Sequence, residues 1–357
     1  MMSFEGTRDL GDVRQRLAGY LGANVANLNV LASGWETTVF EFALNTPSLE
    51  ADLPAGRLMV LRFYQGSNAA EKGPREYRVL CALAKSGYPA PRAYLFESAL
   101  ELFGVPFLIM DRSQGGPLLQ LKSFPQAFKI FSLAFFDFVR AHAALHRLDP
   151  LLLDFAGIQR PFGTPSASSS ATLLDRMLDT IAYRIEVGPL PGLAPMLEWA
   201  RAQVPRFPCP RDSILHLDYH PQTAVVRGLR VTGILDWVNT DVGDRHLDVG
   251  TTCAILATSA MERPRWMRRN VAGNTLRKIF ASLYLALYHP MAPVDFARLR
   301  YYQAVAAMQR LSMFGMMHTR GPESVGFRPQ AISEVTPAVV GLLSRYAARK
   351  SGIPVSF

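Results

Sequence analysis

Hydrophobic positions change their period about a third of the way along this chain. In the first part they fall in short runs. Leu28 to Leu44 reads as two strands around Ala32-Ser33-Gly34-Trp35-Glu36, and Leu58-Met59-Val60-Leu61-Arg62-Phe63-Tyr64 is an apolar strand carrying one cation. The runs 93–97 and 105–110 supply the remaining strands. Two helices accompany them, one over residues 7–19 with Leu10, Val13 and Leu17 on one face, the other from Ala69 to Ser86. Further on, spacings of three and four take over. Phe128, Phe131, Phe135, Phe138, His142 and Leu145 form a buried helical stripe that ends at Leu145-His146-Arg147-Leu148-Asp149. Residues 160–171, rich in Pro, Ser and Ala, read as a loop, and helices are predicted near Leu173–Ile185, Leu193–Ala202, 275–288 and 296–318. The group Met308, Met313, Phe314, Met316 and Met317 is expected in the core, although methionines could also line an adaptable pocket.

Between these helical stretches lies a segment of another kind, residues 214–250. Asp218 stands in His216-Leu217-Asp218, after an apolar run and before a loop broken by Pro221. Asp236 ends the run Val231 to Leu235 and precedes Trp237. Ala224-Val225-Val226, a turn at Arg227-Gly228 and the second run make a hairpin, with Gly228 supplying the positive φ of a tight turn. A loop carboxylate and a strand-end carboxylate are thereby brought side by side, which suits an acid/base group next to a metal-binding group. A competing reading takes His216, Asp218 and His220, spaced i, i+2, i+4, as zinc or iron ligands on one strand face. Pro221 and Gln222-Thr223 argue for a loop instead, in which the two histidines orient the chain by hydrogen bonding.

The segment resembles the catalytic segment of the aminoglycoside phosphotransferase and choline kinase-like family, which has the protein-kinase-like fold. That family reads His-Gly-Asp, four residues, Asn and, about a dozen residues on, Asp-Trp or a similar pair. The resemblance implies an α+β, protein-kinase-like architecture, with a small, mainly antiparallel β N-lobe over residues 1–113 and a larger helical C-lobe over 114–357. It implies Asp218 as catalytic base and Asp236 as the residue holding Mg²⁺ against the phosphates of ATP or GTP. Thr223 occupies the position of the family Asn and so falls on the metal side. Ser33 and Gly34 would belong to the phosphate-covering loop, and Arg62 with Glu76 to the pair that positions phosphates. Met110 and Arg112 would lie at the interlobe hinge beside the adenine. His146 would support the catalytic loop and Asp248, in Gly243-Asp244-Arg245-His246-Leu247-Asp248, would brace it. Four positions depart from the family: Leu217 replaces Gly, Thr223 replaces Asn, Arg62 replaces Lys and Arg245 replaces Pro. The expected activity is transfer of a γ-phosphoryl group to a small-molecule hydroxyl. A kinase-fold pseudoenzyme that binds nucleotide with impaired transfer is the alternative.

Composition narrows the partners. At 357 residues the chain exceeds the usual size of one compact domain, so two lobes are natural. Its longest apolar stretch, Ile279 to Tyr288, falls short of the ~18–20 residues that span a bilayer, and Met1 to Tyr20 has no apolar signal core. Cys81, Cys209 and Cys253 are expected to be reduced, buried thiols of a soluble, cytoplasmic protein. The net charge of +9 is concentrated in residues 251–357, which carry fourteen Lys/Arg against four Asp/Glu. Such a surplus favours an anionic or phosphorylated acceptor, a nucleic acid or a membrane surface, or it simply solvates an arginine-rich face. The charges are scattered, so no nucleic-acid or membrane partner is expected. A cationic aminoglycoside is a poor first choice of acceptor, because its site needs carboxylates.

Overall fold

The computed structural model describes residues 10–49, 51–118, 133–162, 171–258 and 270–356. Five strands, β1 (Val25–Ser33), β2 (Thr37–Leu44), β3 (Leu58–Tyr64), β4 (Ala93–Glu97) and β5 (Phe107–Asp111), form an antiparallel sheet in the order β1-β2-β3-β5-β4. Strand periodicity sorts the side chains of β3 onto two faces. Leu61 and Phe63 pack with Phe40, Phe42 and Phe107 against Val13, Leu17 and Leu21 of α1 (Leu10–Leu21). Val60 and Tyr64 pack on the other face, with Val79, Leu80 and Leu83 of α2 (Ala69–Ser86). Arg62 lies between them in register, so its side chain is sent to the α2 face. The backbone alternation alone therefore aims the one cation of β3 at the helix that carries Glu76.

The second lobe holds α3 (Phe135–Leu145), α4 (Leu173–Val187), α5 (Ala194–Gln203), α6 (Arg245–Thr258), α7 (Asn270–Tyr288), α8 (Phe296–Arg320) and α9 (Pro337–Ser351). Phe135, Phe138, His142 and Leu145 are buried as their spacing predicts, while Phe128 and Phe131 lie outside the described residues. Most of the predicted loop, residues 163–170, lies outside them too. Met308, Phe314, Met316 and Met317 are buried in the core, and Met313 packs half-buried against it. The thiols are all free, but only Cys253 is buried; Cys209 is exposed and Cys81 half-buried, which corrects the expectation of three buried cysteines. Among the described residues no helix is long and apolar enough to cross a membrane.

Two small sheets carry the central segment. The strand β6 (Gly116–Pro117) pairs with β8 (Ala224–Arg227), which forms a hairpin with β9 (Arg230–Ile234), and Gly228 in its turn has φ +63°. The strand β7 (Asp212–Leu215) pairs antiparallel with β10 (Asp241–Asp244). Asp218 follows β7 and Asp236 follows β9, so both carboxylates leave the ends of paired strands. One hydrophobic core runs through both lobes, from Leu80 and Leu108 to Phe138, Trp237 and Tyr284.

Candidate functional site

Asp248, near the start of α6, organises the loop that carries Asp218. Its Oδ2 accepts from the amide of His216 at 2.7 Å and its Oδ1 from that of Leu217 at 2.8 Å. The rings of His142 and His146 lie against the same Oδ2 at 3.0 and 3.2 Å, and their other nitrogens meet the hydroxyls of Tyr284 and Tyr288. Burial works against a charge on Asp248, but His142 and His146 more than offset it, so its carboxyl stays well below the ordinary range. Burial pushes the His142 imidazole down to about 4, so it is neutral near pH 7. These three side chains are close enough to share a metal ion, but their ligand atoms are already engaged in hydrogen bonds. They form a bracing network.

Leu217 shows why that brace is needed. It stands where the resembling family has Gly, and its φ is +62°, a region that costs a branched residue about 1 kcal/mol or more. The replacement therefore carries a conformational cost. Asp248 holds the strained amide, and the Leu217 side chain is buried in the helical core. His216 uses both ring nitrogens to shape the loop, Nε2 on the Leu235 carbonyl at 2.9 Å and Nδ1 taking the Asp218 amide at 3.2 Å. With the residues in a loop and His216 so committed, the three-ligand zinc or iron reading loses its geometry.

The Asp218 carboxylate is about a quarter exposed, with His220 Nε2 at 3.7 Å and Arg310 Nη1 at 4.0 Å. Burial would raise its pKa, but His220, Arg310 and His216 more than offset this and bring it down to about 2. Asp236 has φ +72° and leaves its side chain partly exposed. Its Oδ1 receives Arg62 Nη2 at 2.6 Å. Arg62 Nη1 reaches Glu76 Oε1 at 3.2 Å, and Glu76 also accepts from Tyr64 at 2.5 Å and the Trp237 amide at 3.1 Å. Burial disfavours the Arg62 charge, but Glu76 and Asp236 more than restore it and raise its pKa above the ordinary value. One guanidinium thus joins strand, helix and the Asp236 loop.

Other expected site residues are placed differently. The Thr223 hydroxyl donates to the His220 carbonyl at 2.9 Å within its own turn. Arg112 turns to Glu41 at 2.9 Å and to the Ser113 carbonyl, so its side chain is spent on the sheet. Met110 is buried in β5, paired with Val60 and Ala93. Ser33 ends β1, and the Gly34 amide closes the hairpin on the Thr37 carbonyl at 2.9 Å. That amide is not free to cradle a phosphate.

Three features had no signal in the sequence. Lys72 and Glu36 form an ion pair at 2.7 Å under the hairpin, with burial pushing both toward neutrality. The segment 321–328 crosses from the helical lobe to the same hairpin: the Arg328 amide donates to the Trp35 carbonyl at 2.8 Å, Arg328 Nη2 to the Gly34 carbonyl, and Phe327 meets the Trp35 ring edge-on at 5.1 Å. Arg310 beside Asp218 is the third. The strap makes a testable contrast between two glycines. Gly34→Ala has its nearest neighbour at 3.9 Å and should change stability by no more than ~0.5 kcal/mol. Gly66→Ala, at φ +93° and against the Gly326 backbone, should cost at least about 2 kcal/mol in urea denaturation. Equal costs would mean the strap is not held there.

The comparisons with known proteins concern the family and the fold. The family model described as phosphotransferase enzyme family (APH) matches residues 27–294. Among solved structures, a thermostable mutant of aminoglycoside phosphotransferase APH(4)-Ia in ternary complex with AMP-PNP and hygromycin B superposes with a TM-score of 0.60 at 16% identity, covering 94% of this chain and 99% of that one. A putative aminoglycoside phosphotransferase from Ralstonia eutropha JMP134 gives 0.57 at 17%, covering 96% and 98%. APH(2")-IIa with streptomycin and ATP gives 0.56 at 16%, covering 94% and 98%. At these identities the likeness is one of fold. Acyl-CoA dehydrogenase family member 11 of Gallus gallus is 25% identical over 187 residues, 50% of this chain and 22% of that protein. Member 10 of Mus musculus is 24% identical over 232 residues, 61% of this chain and 20% of that protein. The chain thus spans about a fifth of the length of these relatives.

Proposed function

The chain belongs to the phosphotransferase enzyme family, and we propose that it moves the γ-phosphoryl group of ATP or GTP to a hydroxyl of a small molecule. The observation that carries the reading is the bridge made by Arg62, which ties Glu76 at 3.2 Å to Asp236 at 2.6 Å. It joins a cation to a metal-type carboxylate that follows β9 of the hairpin, with Asp218 ahead of β8, and in this reading the lobes divide at residue 113. The AMP-PNP and ATP complexes of the structural relatives support a nucleotide as donor.

In this reading Asp218, ionised at neutral pH, orients the acceptor hydroxyl and takes its proton. Arg62 holds phosphate oxygens while Glu76 keeps its guanidinium in place. The loop of Ser33 and Gly34 covers the phosphates through its neighbours rather than through the Gly34 amide, and Met110 and Arg112 lie at the hinge beside the base. Phosphoryl transfer needs positioning and charge neutralisation more than covalent help. The donor set fits Mg²⁺, which takes oxygen ligands and one or two carboxylates. Among the described residues Asp236 Oδ2 accepts no hydrogen bond, and the Thr223 hydroxyl donates to the His220 carbonyl and accepts from the His220 amide at 3.4 Å, which leaves one oxygen lone pair. Asp236, with Thr223 on the same side, would hold Mg²⁺, which when bound supplies neutralising charge to the phosphate oxygens.

Asp236→Ala should abolish the Mg²⁺-dependent part of AMP-PNP affinity, measured by calorimetry with and without the metal. Unchanged affinity would remove the assignment. The grip of Arg62 on Asp236 and the replacement of Asn by Thr223 also favour a second reading, a nucleotide-binding protein with impaired transfer. ADP release over a panel of hydroxylated compounds decides between the two.

A further inference from the structure

We infer that Arg310 recognises an anionic group, a carboxylate or phosphate ester, on the acceptor whose hydroxyl Asp218 takes; its identity as an acceptor rests on the phosphotransferase reading. Arg310 projects from a stretch of α8 in which Ala304 to Met308, Leu311 and Phe314 are buried in the helical core. Its guanidinium is carried to the one carboxylate beside which the reacting hydroxyl would lie. At 4.0 Å from Asp218 Oδ1, Nη1 is beyond hydrogen-bond range. Nε is buried without a partner, and among the described residues the guanidinium donates no hydrogen bond, resting only near the Phe314 ring at 5.6 Å.

Among the described residues the buried arginines Arg62, Arg75 and Arg176 differ in that terminal nitrogens are engaged, although the Nε of Arg62 also lacks a partner. Arg62 joins two carboxylates, Arg75 donates to the carbonyls of Gln159 and Val238, and Arg176 meets Asp241 and two carbonyls. Buried donors are ordinarily satisfied, so a guanidinium left with its fork open is one arranged for something else. A counter-ion meant only for Asp218 would close to a direct, bidentate pair. Arg310 instead stands off, about a fifth exposed, within reach of a ligand that also reaches Asp218. Burial pushes its pKa below the ordinary arginine value and Asp218 only partly restores it, so a second negative charge would be favoured there. The planar fork matches the oxygen pairs of carboxylate and phosphate. An ammonium group placed there would be repelled.

The test measures binding rather than turnover. Hydroxy acids and sugar phosphates, each paired with its neutral amide or dephosphorylated sugar, are titrated calorimetrically into the Mg·AMP-PNP complex. At least one anionic member should bind about 10- to 100-fold more tightly than its neutral partner, the scale of charge-assisted hydrogen bonds. Whether the acids or the phosphates show this effect identifies the anion. Arg310→Gln should erase the preference, and Arg310→Lys, which keeps charge but not the fork, should keep part of it. A neutral or cationic compound bound as tightly, a preference surviving in Arg310→Gln, or binding by no anion overturns the inference. ADP release measured in parallel, with Mg·ATP in place of Mg·AMP-PNP and the same compounds, judges the wider reading separately. Arg310-dependent anion binding without transfer would sink the phosphotransferase reading and leave the anion site standing.

Discussion

Asp218→Asn is expected to cut phosphoryl transfer by ~10²-fold or more while leaving Mg·ATP affinity within a factor of about two. A positioned base contributes on that scale, and the substitution keeps the shape of the side chain while removing its charge. The same change ties stability to pH in a defined direction. The folded pKa, about 2, lies below the ordinary carboxylate value. The ionised form therefore contributes its stabilisation, roughly 2 kcal/mol, in full above about pH 5, and loses it as the pH falls toward 2. The stability difference between parent and Asp218→Asn should accordingly shrink between pH 5 and pH 3 in urea titrations. Wild-type turnover in the variant would end the role proposed for Asp218. A parallel loss of transfer and nucleotide affinity would point to a folding defect instead.

Asp248→Ala should be the most destabilising single change near the site, by about 3–5 kcal/mol. It would strip the acceptor from the amides of His216 and Leu217 and from two imidazoles, all inside the core. Against the 5–15 kcal/mol that usually holds a domain folded, such a loss is large. Asp248→Asn should not rescue it fully, because its NH₂ would face groups that donate. Leu217 would then be released from φ +62°, and the loop carrying Asp218 would lose its shape. Calorimetric melting of both variants measures this. A loss under about 1 kcal/mol would show that the network is not the brace it is taken to be.

Much of this site is legible along the chain because its parts are local. Asp218, Thr223 and Asp236 lie within one hairpin segment, and their order survives any uncertainty about packing. The hairpin turn at Gly228 and the strand alternation that sends Arg62 toward Glu76 follow from backbone geometry alone. The likeness to the family also concerns this order of parts, which is why it holds despite four substitutions.

What spacing could not reveal is how side chains on separate elements meet. Arg112 reads as a hinge residue, but the register of β2 offers it Glu41 at 2.9 Å, and a half-buried guanidinium pairs with the carboxylate within reach. Gly34 reads as a phosphate cradle, but a tight hairpin needs its amide for closure. The strap at 321–328 and the approach of Arg310 to Asp218 join residues far apart in sequence. Periodicity tells which face of a helix is buried, not what it is buried against. The sequence by itself determined the strand-to-helix division, the buried stripe of α3 and the order of parts from His216 to Asp248. Only the tertiary structure decided that Asp248 holds a strained Leu217, that Lys72 answers Glu36, and that Arg310 stands 4.0 Å from Asp218. Those contacts depend on the rotation and offset of whole helices, which are set by packing many side chains at once.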